Sequence, residues 1–205
     1  MTKEPQTATP AMLLPEARHL LNENHFRHLP VVDNDNHLVG MITDRDLRSA
    51  FPSSMLTESE RLQAYERVEK ATVADIMSTE CISLTPESTL DDALLLFDRD
   101  GVGALPVLED GRLVGIFSSR DLLAAYKELF GVGEKGSVLL GIEDDGQIGL
   151  ITKIVTLLEQ HEIPFTRLLR NHDAENGDRI YLRVNTYKIA SVVNLLREAG
   201  IRLAL

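Results

Sequence analysis

The 205 residues, 43% apolar and 26% charged, supply one large or two smaller packed domains and exclude bulk disorder. With 32 acidic against 21 basic side chains the formal charge is -11, which repels a phosphate backbone and argues against a nucleic-acid partner. The single cysteine, Cys81, closes no intramolecular disulfide; with no signal-peptide pattern at the start and no apolar run of membrane-spanning length, the expected setting is the cytoplasm and no membrane partner is expected.

In chain order, the first element is a short extended piece ending in Thr9-Pro10, followed by an amphipathic helix on Leu13, Leu14, Ala17, Leu20 and Leu21. Two strands follow, 28–32 and 38–43, joined by the turn residues Asp33, Asn34, Asp35 and Asn36, and a second helix begins at Asp44. Residues 58–70 have a helical composition, with Leu62 and Tyr65 as the main apolar candidates, an excursion that caps a sheet edge or packs on a partner. The opening layout then returns: Thr85-Pro86, a helix on Leu90, Ala93, Leu94 and Phe97, strands 104–108 and 113–118 around Asp110-Gly111, and a helix from Ser119.

The return is a duplication. Residues 1–32 align without gaps on 77–108 and 37–47 on 112–122, with one residue deleted between the blocks, and 16 of the 43 pairs are identical. A unit of about 50 residues buries little core alone, so the two copies are expected to pack together.

After residues 119–130, the glycine-rich run 131–136 is a boundary. It lacks the Gly-Lys-Ser/Thr ending of a phosphate loop, and a strand follows it instead of a helix. The rest reads strand 137–143, helix 149–161, strand 163–171, a turn over 173–177, strand 179–185, helix 187–199 and strand 201–205. This β-α-β-β-α-β order predicts a four-stranded antiparallel sheet with both helices on one face, the other face being left for a second sheet or subunit. Charge supports the division: residues 1–135 hold 13 basic and 23 acidic side chains, residues 136–205 hold 8 and 9.

The repeated polar residues sit where a strand gives way to a helix. Thr43 with Asp46, and Ser118 with Asp121, have the spacing of a capping pair, hydroxyl at N-cap and acid at N3. The same junction offers free backbone amides and a hydroxyl to a phosphate; Arg45 and Arg120 can add guanidinium donors, and the acid can accept ribose hydroxyls. Neither role excludes the other. Cys81 reads as a small buried hydrophobe in the first strand of copy two, and His19, His25 and His37 share no metal-ligand spacing. With no nucleophile and base pair, metal cluster or paired carboxylates, the residues suggest no enzyme.

The segments RHLPVV with GMITDRDL, and GALPVL with GIFSSRDL, resemble CBS domains, small β-α-β-β-α modules that pair into adenine-nucleotide sensors. The resemblance implies paired CBS domains within a mixed α/β (α+β) fold: copy one over 1–52, a helical connection 53–71, copy two over 72–130 and a linker 131–136. It places a first cleft on Thr7, Ala8, Arg27, His28, Pro30, Thr43, Arg45 and Asp46, and a second on Ser83, Leu84, Ala104, Pro106, Ser118, Arg120 and Asp121. The hydroxyl and basic groups face phosphate, the Asp faces ribose, and the strands hold the base. Residues 137–205 resemble the ACT domain, a ferredoxin-like βαββαβ module, although Gly146-Gln147-Ile148-Gly149 stands where that family has Asp-x-Pro-Gly.

The order CBS, CBS, ACT resembles bacterial acetoin-utilisation proteins of the AcuB type. The implied function is a non-enzymatic regulatory sensor, a homodimer through the CBS pair or the ACT-like module, acting on an unidentified target protein. Its ligand would be AMP, ADP, ATP or a relative, with no obligatory cofactor and no metal. The alternative is an interaction module whose clefts bind nothing.

Overall fold

The computed structural model describes residues 1–52, 55, 57–172 and 177–204. Four positions of the expected turn, 173–176, lie outside the described residues, as do 53, 54 and 56 of the expected connection and residue 205 of the expected last strand. The chain divides into two compact units, Met1–Leu123 and Ala124–Leu205. Among the described residues no helix is long and apolar enough to cross a membrane.

The first unit contains β1 (Thr2–Lys3), α1 (Leu14–Glu23), β2 (His28–Val32), β3 (Leu38–Thr43), α2 (Asp44–Ala50) and α3 (Glu58–Val68). After a 3₁₀ turn at Val73–Asp75 come α4 (Leu90–Asp100), β4 (Ala104–Glu109), β5 (Arg112–Ser118) and the start of α5 (Ser119–Leu129). The β2–β3 turn forms because the Asp33 carboxylate accepts the amides of Asp35 and His37 at 2.9 and 2.8 Å, while Asn36 takes a left-handed φ of 64°. Leu14, Ala17 and Leu21 of α1 are buried against Leu29, Val31 and Ile42 of the hairpin and Leu47 of α2. In copy two, the positions of Leu21 and Ile42 are taken by Phe97 and Phe117, whose rings stack with centroids 6.3 Å apart.

Neither copy completes its own sheet. Met41 of β3 exchanges two backbone hydrogen bonds, both 2.9 Å, with Ser78 from the opening of copy two. At the equivalent place, Thr2 of β1 pairs with Ile116 of β5. Each copy lends its opening segment to the other, which explains a repeated glycine. A Cβ on Gly40 would lie 2.7 Å from Met77 Sδ and 3.0 Å from the Ser78 carbonyl oxygen; one on Gly115 would lie 3.0 Å from Met1 Sδ and 3.1 Å from the Thr2 oxygen. The hairpin turns also join across copies, through Asn36 Nδ2 to the Leu113 oxygen at 2.9 Å and the Leu113 amide to the Asn36 oxygen at 3.0 Å.

The second unit takes in the rest of α5, then β6 (Ser137–Glu143), α6 (Leu150–Gln160), β7 (Phe165–Asn171), β8 (Arg179–Asn185), α7 (Ile189–Glu198) and β9 (Leu203–Ala204). The sheet order is β7-β8-β6-β9 with every pair antiparallel. Ile154, Leu158, Val192 and Leu196 of the two helices share one core with Ile142, Ile180, Leu182 and Val184 of the strands. Alternation turns Leu139 and Leu169 to the opposite face, where they are 47% and 41% exposed. Both helices lie on one face, as expected from the sequence; the other face is bare at Leu139 and Leu169 but covered at Arg167 and Arg183 by the end of α5.

Three local expectations change. The anchor of α3 is Val68; Leu62 and Tyr65 face outward, because 58–68 offers too few apolar positions to form a stripe. On α4 Ala93 is fully buried and Leu90 and Phe97 half-buried, but Leu94 is exposed. Cys81 lies in no strand, since only Ser78 and Leu84 make bridges in that stretch.

If the exchanged strands hold the copies together, Gly40→Ala should cost about 1–3 kcal/mol, the range for overpacking a close contact. Chemical denaturation should show a lower midpoint at unchanged slope. An unchanged midpoint would show that the opening of copy two is not pressed against β3.

Candidate functional site

The two strand-to-helix junctions have the same geometry. The Thr43 hydroxyl caps α2 by accepting the Asp46 amide at 3.3 Å, while Asp46 Oδ2 accepts the Thr43 amide at 2.8 Å and its hydroxyl at 2.7 Å. In copy two the corresponding distances for Ser118 and Asp121 are 3.2, 2.8 and 2.6 Å. The first helical amide is taken as well: Asp44 N donates to the Arg27 oxygen and Ser119 N to the Gly103 oxygen, at 3.0 and 3.1 Å. Among the described residues the Arg45 and Arg120 amides are first-turn donors without an acceptor, and both arginine side chains are exposed.

Capping consumes only one oxygen of each acid. In copy two the other oxygen, Asp121 Oδ1, lies 3.6 Å from the Met1 amine. Burial raises the Asp121 carboxyl, but the Ser118 hydroxyl and amide hydrogen bonds and the amine outweigh it and hold the group below the ordinary carboxylate range.

The strands bring the other expected residues beside these junctions. Ala8 and Leu84 are buried and bridge in parallel to Val31 and Val107. The Ala8 amide donates to the Pro30 oxygen at 2.9 Å and the Leu84 amide to the Pro106 oxygen at 2.8 Å. Their neighbours Thr7 and Ser83 are half-buried, and Ala104 is buried at the start of β4. Arg27 is exposed, whereas His28 turns toward the other copy: a Cβ on Gly103 would lie 2.6 Å from its Nε2. Burial pushes the His28 imidazole below its ordinary value, Asp44 and Asp46 oppose this, and Arg27 reinforces it.

Two recesses adjoin these elements. One of about 200 Å³ lies over copy two, lined by Met1, Leu84, Thr85, Pro86, Thr89, Leu90, Ala93, Val107 and Phe117 among others. It reaches the second expected cleft through Leu84, and Met1 connects it to Asp121. The other, about 440 Å³, lies where the hairpin turns meet, between His37, Glu109, Asp110, Arg112 and Val114. It contains none of the expected nucleotide residues, and its carboxylates suit a phosphate poorly.

The spacing of the histidines among themselves does not reveal a group of His37 with Asp33 and Asp35, whose ligand atoms lie within 4.8 Å of one another. Its alternating spacing on one turn was the available signal. Asp33 already serves the turn amides and lies 3.4 Å from His37 Nδ1, so the group accounts for the turn itself. Cys81 Sγ contacts the Ser78 oxygen at 3.4 Å and burial raises its pKa, so the thiol is not activated as a nucleophile.

The two copies that carry these junctions are matched by one family's sequence model, the CBS domain, over residues 1–53 and 73–128. The chain belongs to the CBS-domain proteins. A CBS domain-containing protein of Dictyostelium discoideum is 41% identical over 104 residues, half of this chain and 71% of that one. Among solved structures, AcuB from Vibrio cholerae, provisionally assigned to acetoin utilization, aligns at TM-score 0.54 and 26% identity over 65% of this chain and 91% of its own. CBSX2 from Arabidopsis thaliana, solved in complex with AMP, aligns at 0.53 and 26% identity over 63% of this chain and 94% of its own.

The lowered pKa of Asp121 carries a sign. A carboxyl held lower in the fold than in the unfolded chain stabilises above the ordinary value of about 3.9, and that stability disappears as pH falls through the folded value. Denaturation midpoints measured from pH 5 down to pH 3 should fall less steeply for Asp121→Asn than for the parent. Parallel profiles would remove Asp121 from the acid response.

Proposed function

We propose that this chain is a non-enzymatic regulatory protein whose CBS pair binds an adenine nucleotide at the Thr43–Asp46 and Ser118–Asp121 junctions. The observation that carries the reading is the half-used carboxylate. One oxygen of each Asp closes the cap; the second oxygen of Asp46 is left to accept ribose hydroxyls, and that of Asp121, 3.6 Å from the Met1 amine, would exchange that partner for the ribose. Beside each lie a first-turn helix amide and an exposed arginine, the donors a phosphate requires. Ala8, Pro30, His28, Leu84, Pro106 and Ala104 are the proposed surroundings of the base, with Thr7, Ser83 and Arg27 at the rim. The AMP complex of CBSX2 supports this choice of ligand class.

Calorimetric titration of the full chain with AMP, ADP, ATP, S-adenosylmethionine and cyclic di-AMP tests the proposal. Saturation at about 100 times the dissociation constant should stabilise the fold by about 2.7 kcal/mol. No heat and no melting shift at millimolar ligand would favour the alternative, an interaction module with non-binding clefts. Asp46→Ala or Asp121→Ala, in whichever cleft is filled, should weaken adenosine and AMP alike by about tenfold or more, whereas Arg45→Ala or Arg120→Ala should weaken AMP alone. Equal losses from the Arg change would contradict this division of roles.

The exposed Leu139 and Leu169 favour a further reading, in which the second unit is ACT-like and pairs with its counterpart in a cytoplasmic homodimer. The match to AcuB supports a link to acetoin utilization. Light scattering should find the parent dimeric and a Leu139→Glu/Leu169→Glu double variant dissociated. A dimer unaffected by both changes would place the interface elsewhere.

A further inference from the structure

The helix whose first turn carries Ser118, Arg120 and Asp121 does not stop at the limit of the first unit. α5 continues through Leu123 and Ala124 to Leu129 without interruption, about 16 Å of helix at the usual rise per residue. Its end is closed by a glycine cap. The Gly131 amide donates to the Glu128 oxygen at 3.0 Å and the Val132 amide to the Lys127 oxygen at 2.9 Å, with Gly131 at φ 64°.

Such a cap still leaves acceptor capacity at the last carbonyls, and Arg167 of β7 takes it. Nε donates to the Leu129 oxygen and Nη2 to the Glu128 oxygen, both at 2.8 Å, and Nη1 donates to Glu134 at 2.9 Å. All three guanidinium nitrogens are engaged, two of them on the negative end of a helix. The fit is close: a Cβ on Gly131 would lie 2.5 Å from Arg167 Nη1.

Opposite Arg167 on the neighbouring strand is Arg183, 8% exposed. Its Nη1 donates to Ser137 Oγ at 3.0 Å, and its Nε has no partner among the described residues. Two guanidiniums placed side by side in a sheet repel each other, and a buried donor without an acceptor is costly. The α5 carbonyls and Glu134 are the compensating charges, so this corner of the sheet depends on the helix end remaining in place.

We infer that Arg167 is a positioning residue for the second cleft, acting through α5. A ligand that tightens the Ser118–Asp121 turn stabilises the same helix that Arg167 holds at its other end. By linkage, an ordered helix end in turn favours the capped first turn. The ligand part rests on the proposed nucleotide reading; the mechanical part does not.

The test is hydrogen exchange on the full chain in three arms. Ser118→Ala removes the cap and should lower protection about fivefold, the effect of one lost N-cap, at 121–123 and also at 128–132. Arg167→Ala should lower protection at 128–132 and also at 121–123. Should Arg167→Ala fail to fold, Arg167→Lys, which keeps the charge and loses the fork, takes its place. Effects that stay at the mutated end in both variants would overturn the inference, whatever the chain binds.

Saturating AMP should raise protection at 128–132 in the parent. Binding without that change would overturn the coupling while leaving the nucleotide reading intact. If AMP and the other adenine compounds fail to bind, the nucleotide reading falls, and the two variant arms still decide the coupling.

Discussion

The exchange of opening segments between the two copies is the contact on which the rest of the first unit depends. Ser78 completes the sheet of copy one at Met41, and Thr2 completes that of copy two at Ile116. A copy taken alone would lose the segment that borders β3 or β5 and expose backbone groups at the edge. The close approach demands glycine at 40 and 115, which explains why these two positions agree although fewer than half of the paired positions do. The exchange also fixes the distance between the junctions, since each junction lies at the end of a strand that the other copy's segment borders.

Within that frame the capping acid has two separable jobs. A hydroxyl and an acid three residues apart are sufficient to start a helix, and α3 and α4 use the same device: Thr57 with Glu60 and Thr89 with Asp92. What differs at 43–46 and 118–121 is position. These caps lie at the end of a buried strand and beside a second, parallel-bridged segment, and their acids are half-buried; Glu60 and Asp92 are exposed. The chemistry of the motif is common in this chain, and the surroundings make two of its occurrences candidates for a ligand.

Most of this was legible in the sequence because duplication supplied an internal control. The strands 28–32, 38–43, 137–143 and 179–185 have the bounds that alternation and turn residues predict. The capping pairs fall on the predicted residues. Local chemistry could not show that His28 leans on Gly103, that Met1 approaches Asp121, or that Arg167 grips α5, because each joins positions far apart in the chain. The errors at Leu62, Tyr65 and Leu94 have one cause: periodicity identifies an apolar residue without saying whether anything covers it.

The two copies have diverged where the fold leaves them free. Leu94, Leu95 and Leu123, all exposed, occupy the positions held in copy one by Arg18, His19 and Arg48. In copy one these side chains find local partners: Arg18 lies 4.1 Å from the Phe51 ring, His19 is 3.1 Å from Glu23 and Arg48 is 2.8 Å from Asp44. The helix positions therefore tolerate charge, and no packing rule within the unit requires leucine in copy two. Core residues, junction residues and the strand glycines stay alike because each answers to a partner inside the fold. The outer helix faces answer only to exposed local partners and diverge freely, while the two candidate clefts keep the same cap and the same arginine but differ beside them, where Arg27 and His28 of copy one become Gly103 and Ala104 and the second oxygen of Asp121 has the Met1 amine next to it.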